Sequence, residues 1–318
     1  MITSFYQVDG KRFQKQYKNH LSEFKEWDQR KHASEWLLFP ENMGASLSID
    51  ETAFTNGELY TIITNKEAQG KKGCLVAMVR GTKSDEVVDV LLKMSEGLRK
   101  RVKEVTLDMA GSMNQIVQQA FPKAVKVIDR FHVQRLASDG LQDIRIKHRW
   151  EAIDAENEAM ERAKQKGETY KAKLLSNGDT LKQLLARSRY LLYKTTSKWT
   201  ERQQQRATLL FEKYPDIEKA YKLTQQLKSI FEYTENKTLA MTRMAQWDNK
   251  VRQSGFKAFN TICNTMTQHY KGILNFFDNR STNASAESFN AKIKAFRAQF
   301  RGVTKIDFFL FRLTKLYA

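Results

Sequence analysis

Three acidic residues, spread over most of the chain, have the types and positions that metal-dependent phosphoryl chemistry uses. Asp50 and Asp108 follow strand-like runs, and Glu287 interrupts a segment that otherwise contains Asn, Ser, Lys and Arg. From Arg280 to the end, the chain carries eight Lys or Arg residues and two acids. A carboxylate in such basic surroundings is suited to hold a cation beside a bound polyanion.

Nucleotidyl transfer explains why three acids are needed. A phosphodiester offers little covalent chemistry, so catalysis depends on two cations about 3.5–4 Å apart, which activate the attacking oxygen and stabilise the leaving one. Mg²⁺ prefers oxygen ligands and keeps several of its waters, so few protein carboxylates are required. Two Asp residues are commonly one ligand short, which makes Glu287 the candidate for the third ligand.

The elements that must position these acids follow from hydrophobic periodicity. Strand-like runs at 46–50, 58–64 and 73–80, joined by short Gly-containing turns, predict an antiparallel meander. Alternating helices and strands follow, with the strands at 102–108 and 124–129. The order predicts an α/β fold with a mixed five-stranded sheet: three antiparallel strands, then two parallel strands joined by right-handed βαβ crossovers.

The predicted topology brings the acids to one edge of this sheet. Asp50 ends the first strand and Asp108 ends the fourth, which can lie beside and parallel to the first. The segment SAESFNAKIKAF predicts a helix with an apolar face, and this helix can direct Glu287 to the same edge. Lys294, two turns further along the helix, can then contact a DNA phosphate next to the metal site.

Each acid, taken singly, also has an ordinary structural interpretation. An Asp at a strand end is more often a turn residue than a ligand, and a Glu in a helix is usually at the surface. Glu51 is interpreted as a solvated or capping acid. Asp129 and His132, in DRFHVQRL, form a further pair after the fifth strand, where a His is more often a hydrogen-bonded structural residue than a metal ligand.

The remaining chain is predicted to be helical. Apolar residues recur every three to four positions through residues 133–278, and no strand is predicted there; the charged, Ala-rich stretch 151–173 is predicted to be an exposed helix. The predicted domains are therefore an N-terminal helical segment at 1–44, a core formed by 45–132 and 279–318, and an all-α insertion domain at 133–278.

Composition limits the partners and the compartment. The chain has 318 residues and a formal net charge of +18, which predicts a polyanionic partner, and nucleic acid is favoured because no signal peptide or apolar run of transmembrane length is evident. Cys74 and Cys263 are the only cysteines and lie far apart, so a disulfide framework or a common zinc site is not expected. A cytoplasmic protein without a membrane partner is predicted.

Four segments carry a resemblance to a known family. LSIDETA, VTLDMAGSM, DRFHVQRL and NASAESFNAKIKAFRAQFRGV, in this order, resemble bacterial DDE transposases of the ISL-three insertion-sequence family, over roughly residues 36–316. The resemblance implies an RNase H-like catalytic core, interrupted by the helical insertion before the last catalytic helix. It also implies nicking at the ends of the element, to free 3′-hydroxyl groups, and their in-line attack on target DNA.

The resemblance assigns roles to individual residues. The catalytic and metal-binding triad falls on Asp50, Asp108 and Glu287, with two Mg²⁺ or Mn²⁺ ions as cofactors. The accessory D-x-x-H element falls on Asp129 and His132. The basic residue seven positions beyond the Glu falls on Lys294. Apart from the resemblance, a basic surface that includes Arg297, Arg301 and Lys305 is expected to bind the DNA duplex.

The resemblance also implies partners. Double-stranded DNA is expected both as element ends and as target, in a nucleoid-associated bacterial protein, and synapsis of two ends implies a homodimer or a larger complex. Family members usually carry an N-terminal zinc-binding and helix-turn-helix region, which is not evident here, so a separately encoded small DNA-binding helper protein is expected. Two alternatives stay open: an RNase H-like nuclease or resolvase, and a catalytically inactive DNA-binding remnant.

Overall fold

The computed structural model describes residues 9–54, 57–299 and 306–318. The chain divides into two compact units. The first, here called the sheet unit, comprises Met1–Asp129 and Ser281–Ala318. The second, the helical unit, comprises Arg130–Arg280. The division into domains at 1–44, 45–132 with 279–318, and 133–278 stays a prediction.

A six-stranded mixed sheet forms the centre of the sheet unit, in the order β1-β4-β3-β2-β5-β6. The strands are β1 Trp36–Leu38, β2 Ser46–Ala53, β3 Leu59–Asn65, β4 Leu75–Arg80, β5 Glu104–Leu107 and β6 Val125–Ile128. The pairs β1–β4, β4–β3 and β3–β2 are antiparallel, whereas β2–β5 and β5–β6 are parallel. A mixed α/β sheet of this kind is compatible with an RNase H-like fold.

The prediction of five strands was wrong by one edge strand. β1 lies within the segment 1–44 that was predicted to be helical, and it pairs antiparallel with β4 from Trp36 to Leu38. A three-residue strand is too short to show an alternating pattern, and the pairing depends on a partner about forty residues away. Ahead of it, Phe24 packs on Phe308, with ring centroids 5.2 Å apart.

The helices complete both units. In chain order they are α1 Gly10–Gln16, α2 Ser84–Leu91, α3 Glu96–Arg99, α4 Gly111–Ala120, α5 Arg130–Gln165, α6 Leu181–Arg187, α7 Glu201–Lys213, α8 Pro215–Tyr233, α9 Lys237–Ser254, α10 Lys257–Gln268, α11 Tyr270–Asn279, α12 Ala284–Gln299 and α13 Ile306–Tyr317. Helices α5 to α11 form the helical unit, and the others belong to the sheet unit. No helix within the described residues combines the length and hydrophobicity needed to cross a bilayer.

Helices α12 and α13 pack on one face of the sheet, and that face carries Asp50. The buried residues of this layer are Leu37, Tyr60, Ile62 and Met78 from the strands and Phe289, Ile293, Phe309, Leu310 and Leu313 from the helices. Directly paired strand residues point to the same face, and Asp50 pairs with Ile62. Burial of each large apolar side chain contributes about 1.5–3 kcal/mol, so this layer fixes α12 over the sheet.

The helical unit is built around α5, which contacts α6, α8 and α10. Gly140 lets α5 approach α10 closely, since a Cβ atom at this position would lie 3.1 Å from Ile262 Cδ1. The predicted exposed helix at 151–173 is shorter than expected. α5 ends at Gln165, and Gly167 follows with a φ of +71°, a left-handed conformation that glycine adopts without strain and that commonly ends helices.

Candidate active site

The parallel register of the sheet determines where Asp50 and Asp108 lie. β2 and β5 pair in register up to Ser48 and Thr106. Extending the same register by two residues places Asp50 level with Asp108. Asp50 lies on the face that α12 covers, and a continuation of the register and of the strand alternation predicts the same face for Asp108.

Asp129 continues this row on the next strand. β5 and β6 pair in register up to Leu107 and Ile128, so the next residues, Asp108 and Asp129, are level with each other. The backbone N–H of Asp129 donates to the Leu107 carbonyl oxygen at 3.0 Å, which ties the end of β6 to β5. Three neighbouring parallel strands therefore present one Asp each at the same edge.

The sequence predicted that Asp50 is the last residue of its strand, and this prediction was wrong. β2 continues to Ala53, which pairs with Leu59 of β3. The parallel pairing with β5 nevertheless ends two residues before Asp50. Asp50 is therefore held by β3 on one side and lies beyond the end of the β5 ladder on the other. This explains how a residue within a strand reaches the edge.

The first half of α12 docks on the strand that carries Asp50. Asn283, just before the helix, donates from Nδ2 to the Ile49 carbonyl oxygen at 3.3 Å. One turn after Glu287, Asn290 donates from Nδ2 to Asp50 Oδ2 at 2.6 Å. The side of α12 that carries Glu287 therefore faces the sheet edge with Asp50, Asp108 and Asp129, here called the acidic edge.

Glu287 lies near the buried acid of β6. One of its carboxylate oxygens is within 4.8 Å of a carboxylate oxygen of Asp129. Asp129 is buried, whereas Glu287 is exposed. A cation between the two oxygens would need only an adjustment of the side chains, since Mg²⁺ and Ca²⁺ bind oxygens at about 2.0–2.6 Å. The other half of the predicted D-x-x-H element, His132, lies in the first turn of α5, in the helical unit.

The negative charge of this edge affects a residue that the sequence interpretation treated as solvated. Glu51 is half-buried. Burial raises the pKa of its carboxyl group, and the neighbouring charges of Asp108 and Asp50 raise it further. Asp108 itself accepts a hydrogen bond at Oδ1 from the Ala110 N–H at 2.7 Å. Glu51 is therefore part of the acidic edge, which its position next to Asp50 did not reveal.

A half-buried lysine, Lys66, lies on the same face of the sheet. Lys66 Nζ donates to Thr106 Oγ1 at 2.8 Å and to Ser281 Oγ at 2.7 Å, and forms an ion pair with Glu104 at 3.5 Å. Burial lowers the pKa of Lys66, while the charges of Glu104 and Asp129 act in the opposite direction. This network ties Ser281, just ahead of α12, to β5. No local sequence pattern could have revealed it, since its members are far apart in the chain.

The residues predicted to bind DNA have different surroundings. Lys294 is exposed on α12. Arg297 is 7% exposed, forms an ion pair with Glu58 at 3.5 Å, and lies over the ring of Phe309. This placement favours a stabilising role for Arg297 inside the sheet unit. Arg301 and Lys305 lie outside the described residues.

Comparison with known proteins identifies the family. Residues 47–313, most of the chain, match the DDE_Tnp_ISL3 family of transposases. The chain therefore belongs to this transposase family, which confirms the resemblance carried by the sequence motifs. Membership supports a function in transposition, with DNA as the substrate and with DNA cutting and joining as the general activity. Neither the curated proteins nor the solved structures gave a match.

Proposed function

We propose that this transposase cuts the ends of its element and joins the freed 3′-hydroxyl groups to target DNA by metal-dependent chemistry of the DDE type. Asp50, Asp108 and Glu287 are the proposed ligands of two Mg²⁺ or Mn²⁺ ions. The observation that carries the proposal is the sheet register. The pairing of Ser48 with Thr106, continued by two residues, supports a position of Asp50 beside Asp108 near α12, the helix that carries Glu287.

The donor set fits hard divalent cations. All proposed ligand atoms are carboxylate oxygens, which Mg²⁺ and Mn²⁺ prefer over the sulfur and nitrogen ligands that favour zinc. The raised pKa of Glu51, caused by burial and then by Asp108 and Asp50, indicates concentrated negative charge. Bound cations would compensate that charge, activate the attacking oxygen and stabilise the leaving oxygen.

Each residue of the candidate active site has a proposed role. Asp50 and Asp108 hold the cations against the sheet edge, and Glu287 completes the site from α12. Asp129, whose carboxylate approaches that of Glu287, is an accessory acid, and the role of His132 stays a prediction. Lys294, exposed two turns beyond Glu287, contacts a phosphate next to the site. The net charge of +18 makes DNA binding steeply dependent on salt.

Two alternative functions are compatible with the same acidic edge. An RNase H-like nuclease would nick DNA without joining ends, and an inactive remnant would bind DNA without cutting it. Membership in a transposase family favours the first proposal over the nuclease, and the presence of Asp50, Asp108 and Glu287 favours it over the remnant. A homodimeric or larger synaptic complex, and a separate DNA-binding helper, remain expectations that follow from the family resemblance.

Cleavage and strand transfer on labelled DNA that carries the element's own ends test the proposal. The native chain and Glu287→Gln are compared in Mg²⁺ and in Mn²⁺, with and without the product of the neighbouring reading frame. We expect joined products with the native chain and a loss of at least about a thousandfold with Glu287→Gln, which is on the order of 4 kcal/mol of transition-state stabilisation.

The other outcomes assign the chain to the alternatives. Nicked DNA without joined products, under every combination, would indicate the nuclease. Salt-sensitive DNA binding without any reaction would indicate the remnant. Glu232→Gln, at an exposed acid of α8 in the helical unit, serves as the matched control because it makes the same chemical change.

A further inference from the structure

The amide of Asn290 connects two of the proposed metal-binding elements. It lies on α12, three residues after Glu287, and donates from Nδ2 to Asp50 Oδ2 at 2.6 Å. The other oxygen of the same carboxylate, Asp50 Oδ1, accepts from the backbone N–H of Glu51 at 2.8 Å. Both oxygens of Asp50 are therefore oriented by the protein, one of them by the helix that carries Glu287.

The chemistry of the contact fixes which end of the amide faces Asp50. An ionised carboxylate only accepts hydrogen bonds, so the NH₂ group of Asn290 must point to it and the amide oxygen must point away. Each carboxylate oxygen has two lone-pair sites. The hydrogen bonds from Asn290 and Glu51 are therefore compatible with binding of a cation by the same group.

The burial of Asn290 indicates that the amide is there for this contact. The residue is 6% exposed, and its Oδ1 atom is buried with no hydrogen-bond partner among the described residues. A buried acceptor without a partner is unfavourable, and an aliphatic side chain of similar size would avoid that cost. Its neighbours on the helix, Phe289 and Ile293, are core residues. The hydrogen bond to Asp50 explains why a polar residue lies among them.

We propose that Asn290 is a positioning residue for the metal site. Its amide holds the carboxylate of Asp50 in one orientation and links that orientation to the position of Glu287 on the same helix. Hydrogen bonds of this kind, to the groups that ligate a metal, commonly change metal affinity or activity by about 10–100-fold when removed. The inference rests on the proposed metal-dependent function.

A direct measurement of metal binding tests the role of Asn290. Mn²⁺ binding to the full chain without DNA is measured by titration calorimetry and by the electron paramagnetic resonance of free Mn²⁺. Asn290→Leu removes the amide at similar volume, and Asn290→Ala keeps the helix with the smallest risk of a steric clash. We expect the dissociation constant for Mn²⁺, and the Mn²⁺ concentration that half-activates nicking, to rise by about 10–100-fold in both variants.

A matched variant separates positioning from a general loss of stability. Asn42 donates from Nδ2 to the Leu75 carbonyl oxygen at 2.8 Å, in the same unit but without contact to the acidic edge. Asn42→Leu should lower the melting temperature and leave Mn²⁺ affinity unchanged. Asn290 variants that melt earlier while binding Mn²⁺ within about twofold of the native chain would overturn the inference, because only a structural role would then remain.

The native chain and Asp50→Asn distinguish the failure of this inference from the failure of the proposed function. If the native chain neither binds Mn²⁺ nor reacts in its presence, the proposed function itself is wrong. If the native chain binds and reacts, Asp50→Asn does neither, and the Asn290 variants match the native chain, then the proposed function stands and the role of Asn290 is wrong.

Discussion

Two acidic side chains, Asp179 in the helical unit and Glu51 in the sheet unit, have opposite electrostatic surroundings. In the helical unit, the side chain of Asp179 is 2% exposed and forms ion pairs with Arg187 and, at 3.1 Å, with Arg206. Burial alone would raise the pKa of Asp179, but the hydrogen bonds from the two arginines outweigh it and lower the pKa. In the sheet unit, the pKa of Glu51 is raised by burial and by two more acids.

The opposite pKa shifts of Asp179 and Glu51 have local causes, since both units carry a net positive charge. The helical unit has 28 Lys or Arg residues and 17 acids, and the sheet unit has 26 and 19. An acid that serves the fold is neutralised by cations of the chain itself, as at Asp179. An edge where two acids raise the pKa of a third costs stability, and this cost is explained if the compensating cation comes from outside.

The largest effect is expected from neutralising one acid of the sheet edge. Asp108→Asn should lower metal-dependent strand transfer by at least about a thousandfold, because a proposed ligand is lost. The melting temperature without metal should stay the same or rise, since a like charge is removed and the Asn oxygen can still accept from the Ala110 N–H. A lower melting temperature, or activity within about tenfold of native, would contradict the contrast between Asp179 and the acidic edge.

The corresponding change in the helical unit, Asp179→Asn, should lower stability rather than leave it the same or raise it. Asp179→Asn removes the charge that two arginines bind, so we expect the free energy of unfolding at pH 7 to fall by about 2 kcal/mol, as is typical of hydrogen bonds to charged groups. The measurement is denaturant unfolding of the full chain, followed by a probe in the helical unit. Asp139→Asn is the control, because its pair with Arg135 is exposed and separated by 3.6 Å.

The pH dependence of Asp179→Asn follows from the lowered pKa of Asp179. A carboxyl group whose folded pKa lies below the unfolded value of 3.8 stabilises the fold above that value. The stabilisation is lost as the pH falls through the folded pKa. The difference between native and Asp179→Asn chains should therefore shrink below about pH 3.8 and persist at neutral pH; a difference that grows in acid would contradict the assignment.

The smallest effect is expected at Glu51. Glu51→Gln should raise the free energy of unfolding by about 0.5 kcal/mol at pH 8, as is typical for relief of a partly exposed like-charge contact. The pKa of Glu51 in the folded chain is raised above its unfolded value of 4.5. The native chain therefore loses stability as the pH rises from the unfolded pKa to the folded pKa. Below pH 4.5, the stability gained by Glu51→Gln should vanish. Glu41→Gln, at an exposed acid, should show no gain; an equal gain there would contradict a local effect.

The sequence predicted the central strands better than the outermost strand of the sheet or the ends of the strands. The βαβ pattern predicted a strand parallel to the first, and β2 and β5 have that pairing. The edge strand β1 was missed because its pairing with β4 is a tertiary contact, and the end of β2 was misplaced because the partner β3 extends it to Ala53. Periodicity within a segment reports which face is apolar, not how far a partner strand continues.

The sequence by itself determined the family, the helical character of residues 133–278 and the three acids proposed for catalysis, because motifs, periodicity and charge are local properties. Only the tertiary structure decided that Asn290 binds Asp50, across 240 positions of the chain, and that Glu51 belongs to the acidic edge. It also decided that Arg297 is buried against Glu58. The physical reason is that the docking of α12 is set by packing of apolar side chains from distant segments, and the polar contacts of the edge follow from that packing.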